Sequence, residues 1–199
     1  MTRDGTSEVN GAAGPGPSAP RHLAQPMAED AREPLPMTGG ERELLTGYLD
    51  WYRETLRLKC EGLTAAQLSE RSVRPSGMSL HGLLRHLAGV ERWWFRIQFG
   101  GQDLPLLFFS DEDPDQDFDW ERSDPHADPA GALETWQREC ARSRELVAAT
   151  ADLEATGTHL ATGQPVSLRR VLLHLTAEYA RHCGHADLLR ERIDGATGH

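Results

Sequence analysis

The sequence predicts an all-α fold, a four-helix bundle. Four long segments place apolar residues at three- and four-residue spacing. They are punctuated by capping residues, prolines or glycines. No stretch reads as a convincing β-strand run; only "LEATGTHLATGQPV", with two glycine turns, suggests a short, loose hairpin.

The 199 residues suffice for one domain with a proper core. Residues 1–37 are rich in Gly, Pro, Ser and Ala ("NGAAGPGPSAP", then "EPLPM"). Such a segment buries too little apolar surface to offset its ordering entropy, so a disordered N-terminal tail is expected, with Met27 and Met37 as alternative starts. The bundle domain then covers residues 38–199. Its first helix, "ERELLTGYLDWYRETLRLKC", aligns Leu45, Tyr48, Leu49, Tyr52 and Leu56 on one face, and Gly62 follows as a stop. "LTAAQLSERSV" reads as a short helix capped by Thr64, before a turn at Pro75-Ser-Gly. The second long helix is expected from about Ser79 to Phe99, ending at Gly100-Gly101. A long acidic loop runs to about Asp128. The third helix has Pro129 in its first turn and runs to about Ala151, with Leu133, Trp136, Cys140 and Val147 inward. The fourth starts at Ser167 and ends near Asp194-Gly195.

The formal net charge is −10, with no dense basic patch, which argues against nucleic acid or an anionic membrane as partner. No apolar run approaches the roughly 20 residues that span a bilayer. The first residues lack the basic and apolar regions of a signal peptide, so a cytoplasmic location is expected. Cys60, Cys140 and Cys183 are odd in number and far apart, which suits reduced thiols.

The fourth helix carries His174, Glu178, His182 and His185 within twelve residues. At ~100° per residue, His182 falls inside the apolar stripe formed by Val171, Leu175, Tyr179, Ala186 and Leu189, and Glu178 falls on its flank. His174 and His185 lie nearer the solvent boundary. An inward carboxylate is costly when unpaired, and a divalent cation would remove that cost. The four-residue spacing puts Glu178 and His182 on one side of the helix. A third ligand has to come from another helix. On the second helix, His86 borders the stripe of Leu83, Leu87, Val90, Trp94 and Ile97, while His81 points away with the arginines. The expected site is therefore His86, Glu178 and His182. His185 is the rival, able to replace or supplement Glu178. The plain alternative is a Glu–His hydrogen bond with no metal. In the acidic loop, Asp111, Asp113, Asp115, Asp117 and Asp119 alternate as in a calcium loop, but Gln116 and Arg122 stand where Gly and Glu are needed. A solvated loop covering one end of the bundle is expected there, bordering the substrate entrance.

"LLRHLAGVERWWF" resembles the second-helix motif of DinB-like proteins, and "EYARHCGHADLLRERIDGATG" their fourth-helix motif. "LLTGYLDWYRETL", "SDEDPD" and "PVSLRRVLLHL" resemble the actinobacterial mycothiol-dependent branch. The resemblance runs from about Glu41 to Gly198. It implies a DinB-like four-helix bundle holding a divalent metal through a His on the second helix and two ligands four apart on the fourth. Carried onto this chain, these are His86, Glu178 and His182. Many members have His where this chain has Glu178, and Gln where it has His185. A His/Glu/His set resembles mycothiol-dependent maleylpyruvate isomerase and related mycothiol S-transferases.

Three protein ligands leave a coordination position open, and a thiol there is favoured as its anion. The implied activity is transfer of a low-molecular-weight thiol, mycothiol by resemblance, to an electrophile, as in detoxification. Zinc is the first choice of metal on ligand type. Arg85, Arg92 and Arg181 are candidates to hold a polar group of the thiol, against a merely solubilising role. The alternatives are an isomerase of maleylpyruvate type, a non-catalytic metal-binding stress protein, and a structural bundle forming a homodimer through a helix face.

Overall fold

The computed structural model describes Arg32 and residues 34–198. Most of the tail expected at 1–37 lies outside the described residues. Helix α1 (Glu41–Cys60) sets Glu41 and Glu43 in its first turn and Arg57 and Lys59 in its last, matching the helix dipole. The short α2 (Ala65–Leu68) is closed by a capping box between Thr64 and Gln67. In α3 (Leu80–Glu91) the Gly82 amide donates to the Ser79 hydroxyl at 3.0 Å.

Beyond Glu91 the helix widens into a π-helical stretch, Arg92–Phe99. A one-turn α4 (Trp120–Ser123) interrupts the acidic loop. Helix α5 (Pro129–Ala149) starts on Asp128, whose carboxylate accepts from the amides of Ala130 and Gly131. Strands β1 (Thr156–His159) and β2 (Gln164–Ser167) form the antiparallel hairpin that the two glycine turns suggest. Ser167 caps α6 (Leu168–Asp194).

The bundle consists of α1, α3 with its π-helical extension, α5 and α6. Helix α3 packs mainly on α5, α1 packs mainly on α6, and α3 also touches α6. Leu49 and Leu56 of α1, Leu83, Leu84 and Leu87 of α3, Trp136 of α5, and Leu172, Leu175 and Tyr179 of α6 fill the core. Among the described residues no helix is long and apolar enough to cross a membrane.

Three wheel assignments need correction. Tyr48 of α1 is exposed rather than inward. His81 and Arg85 of α3 are buried, not solvated. The loop between the π-helical stretch and α5 lies against their face of α3. Trp120 packs on His81 with ring centres 4.3 Å apart, and Arg85 donates to the Gln116 carbonyl at 2.9 Å. A wheel finds the side facing other helices and treats a long polar loop as solvent.

Candidate metal centre

His86 on α3 and Glu178 and His182 on α6 converge at one point of the α3–α6 contact. One nitrogen or oxygen from each lies within 4.8 Å of the others. Donors about 2.1 Å from a tetrahedral zinc stand about 3.4 Å apart, so small side-chain movements would bring all three to bonding distance. The imidazole rings of His86 and His182 have centres 4.7 Å apart.

The set is under-satisfied as it stands. Glu178 Oε2 is 3.5 Å from His182 Nε2, and Glu178 Oε1 is 3.9 Å from His174 Nε2. Neither approach is a well-formed hydrogen bond. A Glu–His hydrogen bond therefore does not account for the inward carboxylate. Burial, together with the neighbouring His86 and His185, pulls His182 down to about 3, so its ring is neutral over the ordinary pH range. Neutral imidazole is the form that binds metals. Two imidazoles, one of them held neutral, and a carboxylate within one small space thus fit a divalent cation.

The surroundings orient the rings. Asp117 Oδ2 stands 2.8 Å from His86 Nδ1. A carboxylate only accepts, so the proton sits on Nδ1 and the Nε2 lone pair of His86 is left for a ligand role. His185 Nδ1 is 3.3 Å from His182 Nδ1, behind the ring and on the nitrogen away from Glu178's contact. His174 packs on Trp94, ring centres 4.3 Å apart, and is lowered by burial and by Arg170.

Asp117 is legible in the sequence only as one of five alternating loop aspartates. What brings it to His86 is a pair of glycines. Gly82 and Gly89 lie four residues before and three after His86, on one face of α3. A Cβ at Gly82 would come within 2.5 Å of the Phe118 ring, and one at Gly89 within 3.2 Å of the Leu107 carbonyl. The missing side chains let the acidic loop lie directly on the helix across His86. The sequence signal is "HGLLRHLAG", a histidine flanked by glycines at helical spacing. Of the arginines considered for substrate, Arg181 is exposed, Arg92 is paired with Glu139 at 2.6 Å, and Arg85 is buried over the Phe108 ring.

Residues 44–195 match the family described as mycothiol-S-transferase. No curated protein matches the chain. Among solved structures, the chain is similar to YfiT from Bacillus subtilis, described as "a probable metal-dependent hydrolase with an unusual four-helix bundle topology". The TM-score is 0.56 at 18% identity, over 81% of this chain and 93% of that one. At that identity the likeness shows the shared four-helix bundle.

Proposed function

The chain belongs to the mycothiol S-transferase family, and from that premise we propose that it joins mycothiol, or a similar small thiol, to an electrophilic small molecule at a divalent metal held by His86, Glu178 and His182. The observation that carries this reading is the under-satisfied triad: a carboxylate and two imidazoles meet in the bundle without forming hydrogen bonds among themselves. When bound, the cation supplies positive charge that favours the thiolate over the thiol at neutral pH.

The chain's own residues prepare the site for that charge. Asp117 fixes the His86 tautomer and ring direction. His182 stays neutral because its burial disfavours a second charge. Glu178 contributes one negative charge, leaving a divalent site net positive and suited to an anionic sulfur. In the overall reaction the thiol S–H bond is lost and an S–C bond forms. The proton leaves to solvent, and the leaving group departs with its bonding pair; for an addition, the electrophile's π pair takes up a proton instead. Zinc suits this donor set, with two nitrogen ligands and one oxygen ligand.

The test is elemental analysis joined to thiol transfer from mycothiol to a bromobimane. Wild type should carry about one divalent metal per chain, as three protein donors hold one ion, and should form the mycothiol–bimane conjugate faster than the uncatalysed reaction. His86→Ala should lose both. A full metal load in His86→Ala would sink the ligand assignment. Turnover of maleylpyruvate without conjugate formation would replace transfer by isomerisation.

A further inference from the structure

His86 and Asp117 both line a cavity of about 390 Å³. Its walls are Trp93 from the π-helical stretch and Leu106, Phe108 and Phe109 from the loop that crosses α3. A volume of this order suits a small organic molecule. Three features mark it as a place for a ligand rather than a packing fault.

The lining is aromatic and open. Leu106 and Phe109 are 41% and 43% exposed, two large apolar side chains left in water at the same cavity. Phe108 has φ +55°, a left-handed backbone that a bulky residue rarely adopts. Strained residues of this kind gather at ligand sites, where the surroundings hold them. Here the holder is Arg85, whose guanidinium stacks on the Phe108 ring at 3.9 Å. Arg85 is 4% exposed, and it makes no ion pair within 4.0 Å among the described residues. The ring is thereby fixed as a wall instead of collapsing into the space.

The electrostatics specify the ligand further. Arg92 also borders the cavity, but Glu139 neutralises it at 2.6 Å. Asp117 is committed to His86. The cavity's arginine is thus already paired and its carboxylate oxygen already hydrogen-bonded, so an uncharged body is favoured over an anion.

We propose that this cavity holds the flat, apolar, aromatic body of the electrophilic co-substrate, against the outer edge of His86. This rests on the thiol-transfer reading for the word "co-substrate", though the binding itself does not depend on turnover. The enzyme would then prefer electrophiles carrying one or two fused aromatic rings over small polar ones bearing the same reactive group.

The experiment uses the full chain and two kinds of probe. N-(1-naphthylmethyl)acetamide is unreactive and reports binding by tryptophan fluorescence or calorimetry. The chloroacetamide of the same amine and plain 2-chloroacetamide are reactive; mycothiol sulfur displaces chloride from each, releasing a proton. Saturable binding of the acetamide is expected. Phe109→Ala should weaken it about tenfold, the scale of one lost aromatic contact, and Leu106→Gln severalfold. Both side chains are exposed, so both variants should melt and take up zinc as wild type does. The preference for the naphthyl chloroacetamide over 2-chloroacetamide should shrink in parallel. Failure of the acetamide to saturate wild type, or equal binding by wild type and both variants, would overturn the proposal. If binding depends on Phe109 but no thiol transfer occurs, the cavity stands and the transferase reading falls. If transfer occurs but binding does not depend on Phe109, the transferase reading stands and the cavity assignment falls.

Discussion

Glu91 of α3 and Glu178 of α6 are carboxylates with surroundings that differ in kind. Glu91 is fully buried and saturated. Arg53 of α1 donates to both its oxygens, at 2.8 and 2.7 Å, and the Tyr179 hydroxyl donates at 2.8 Å. Trp136 Nε1 donates in turn to the Tyr179 oxygen at 2.7 Å. Burial works to raise the Glu91 carboxyl, but Arg53 together with the Ser143 and Tyr179 hydroxyls holds the group below its ordinary value. Glu178, one residue before Tyr179, is partly open and has only the long approaches of two histidines. One cluster ties α1, α3, α5 and α6 together with every hydrogen bond supplied internally. The other leaves its carboxylate with only long approaches from two histidines. An inward acid is thus informative only when its partners are counted: saturation marks a structural tie, and convergence without saturation marks a candidate ligand site.

Removing each acid in turn is the strongest way to break the contrast. Glu91→Ala leaves the buried Arg53 with only the part-exposed Asp50 as an ion-pair partner and strips two of its guanidinium hydrogen bonds, which should cost about 3–5 kcal/mol in urea unfolding. Glu178→Ala should change the metal-free stability by no more than about 1 kcal/mol, yet abolish metal uptake. Equal destabilisation by the two would erase the distinction. A smaller effect tests the support of the site. Asp117→Asn should lower zinc affinity about 10–100-fold while leaving the metal-free melting temperature nearly unchanged; unaltered affinity in a competition titration would remove Asp117 from the site.

A pH dependence is expected from His81, a buried imidazole whose Nε2 finds no partner. Burial, with Arg85 nearby, lowers it from 6.5 to about 4. Below pH 6.5 the unfolded chain takes up a proton that the fold refuses. Stability should therefore fall with pH down to about 4, by at most about 1.4 kcal/mol per pH unit for one proton. His81→Gln should flatten the slope of the urea midpoint across that window, and an unchanged slope would show that other groups dominate.

The four helices are readable because their caps and apolar spacing are local. Ser79, Asp128 and Ser167 each cap the helix that follows them in the sequence. His86, Glu178 and His182 are readable as candidates because side chains four apart share a helix face wherever the helix packs, and the structure brings these three together. The wheel fails at His81 and Arg85, where burial comes from a loop with no period to read. It also cannot foresee the π-helical widening after Glu91, which changes the turn that carries Trp94 toward His174.

What the sequence determined by itself is the set of helices and the inward face of each, since those follow from residue spacing and backbone capping within a few residues. Only the tertiary structure decided which inward acid is tied and which is free, and which of five loop aspartates meets His86. Both depend on contacts between segments far apart in the chain. Arg53 lies 38 residues from Glu91, and Asp117 lies 31 from His86. No local pattern names a partner at that distance; Gly82 and Gly89 mark only that another segment lies close on α3.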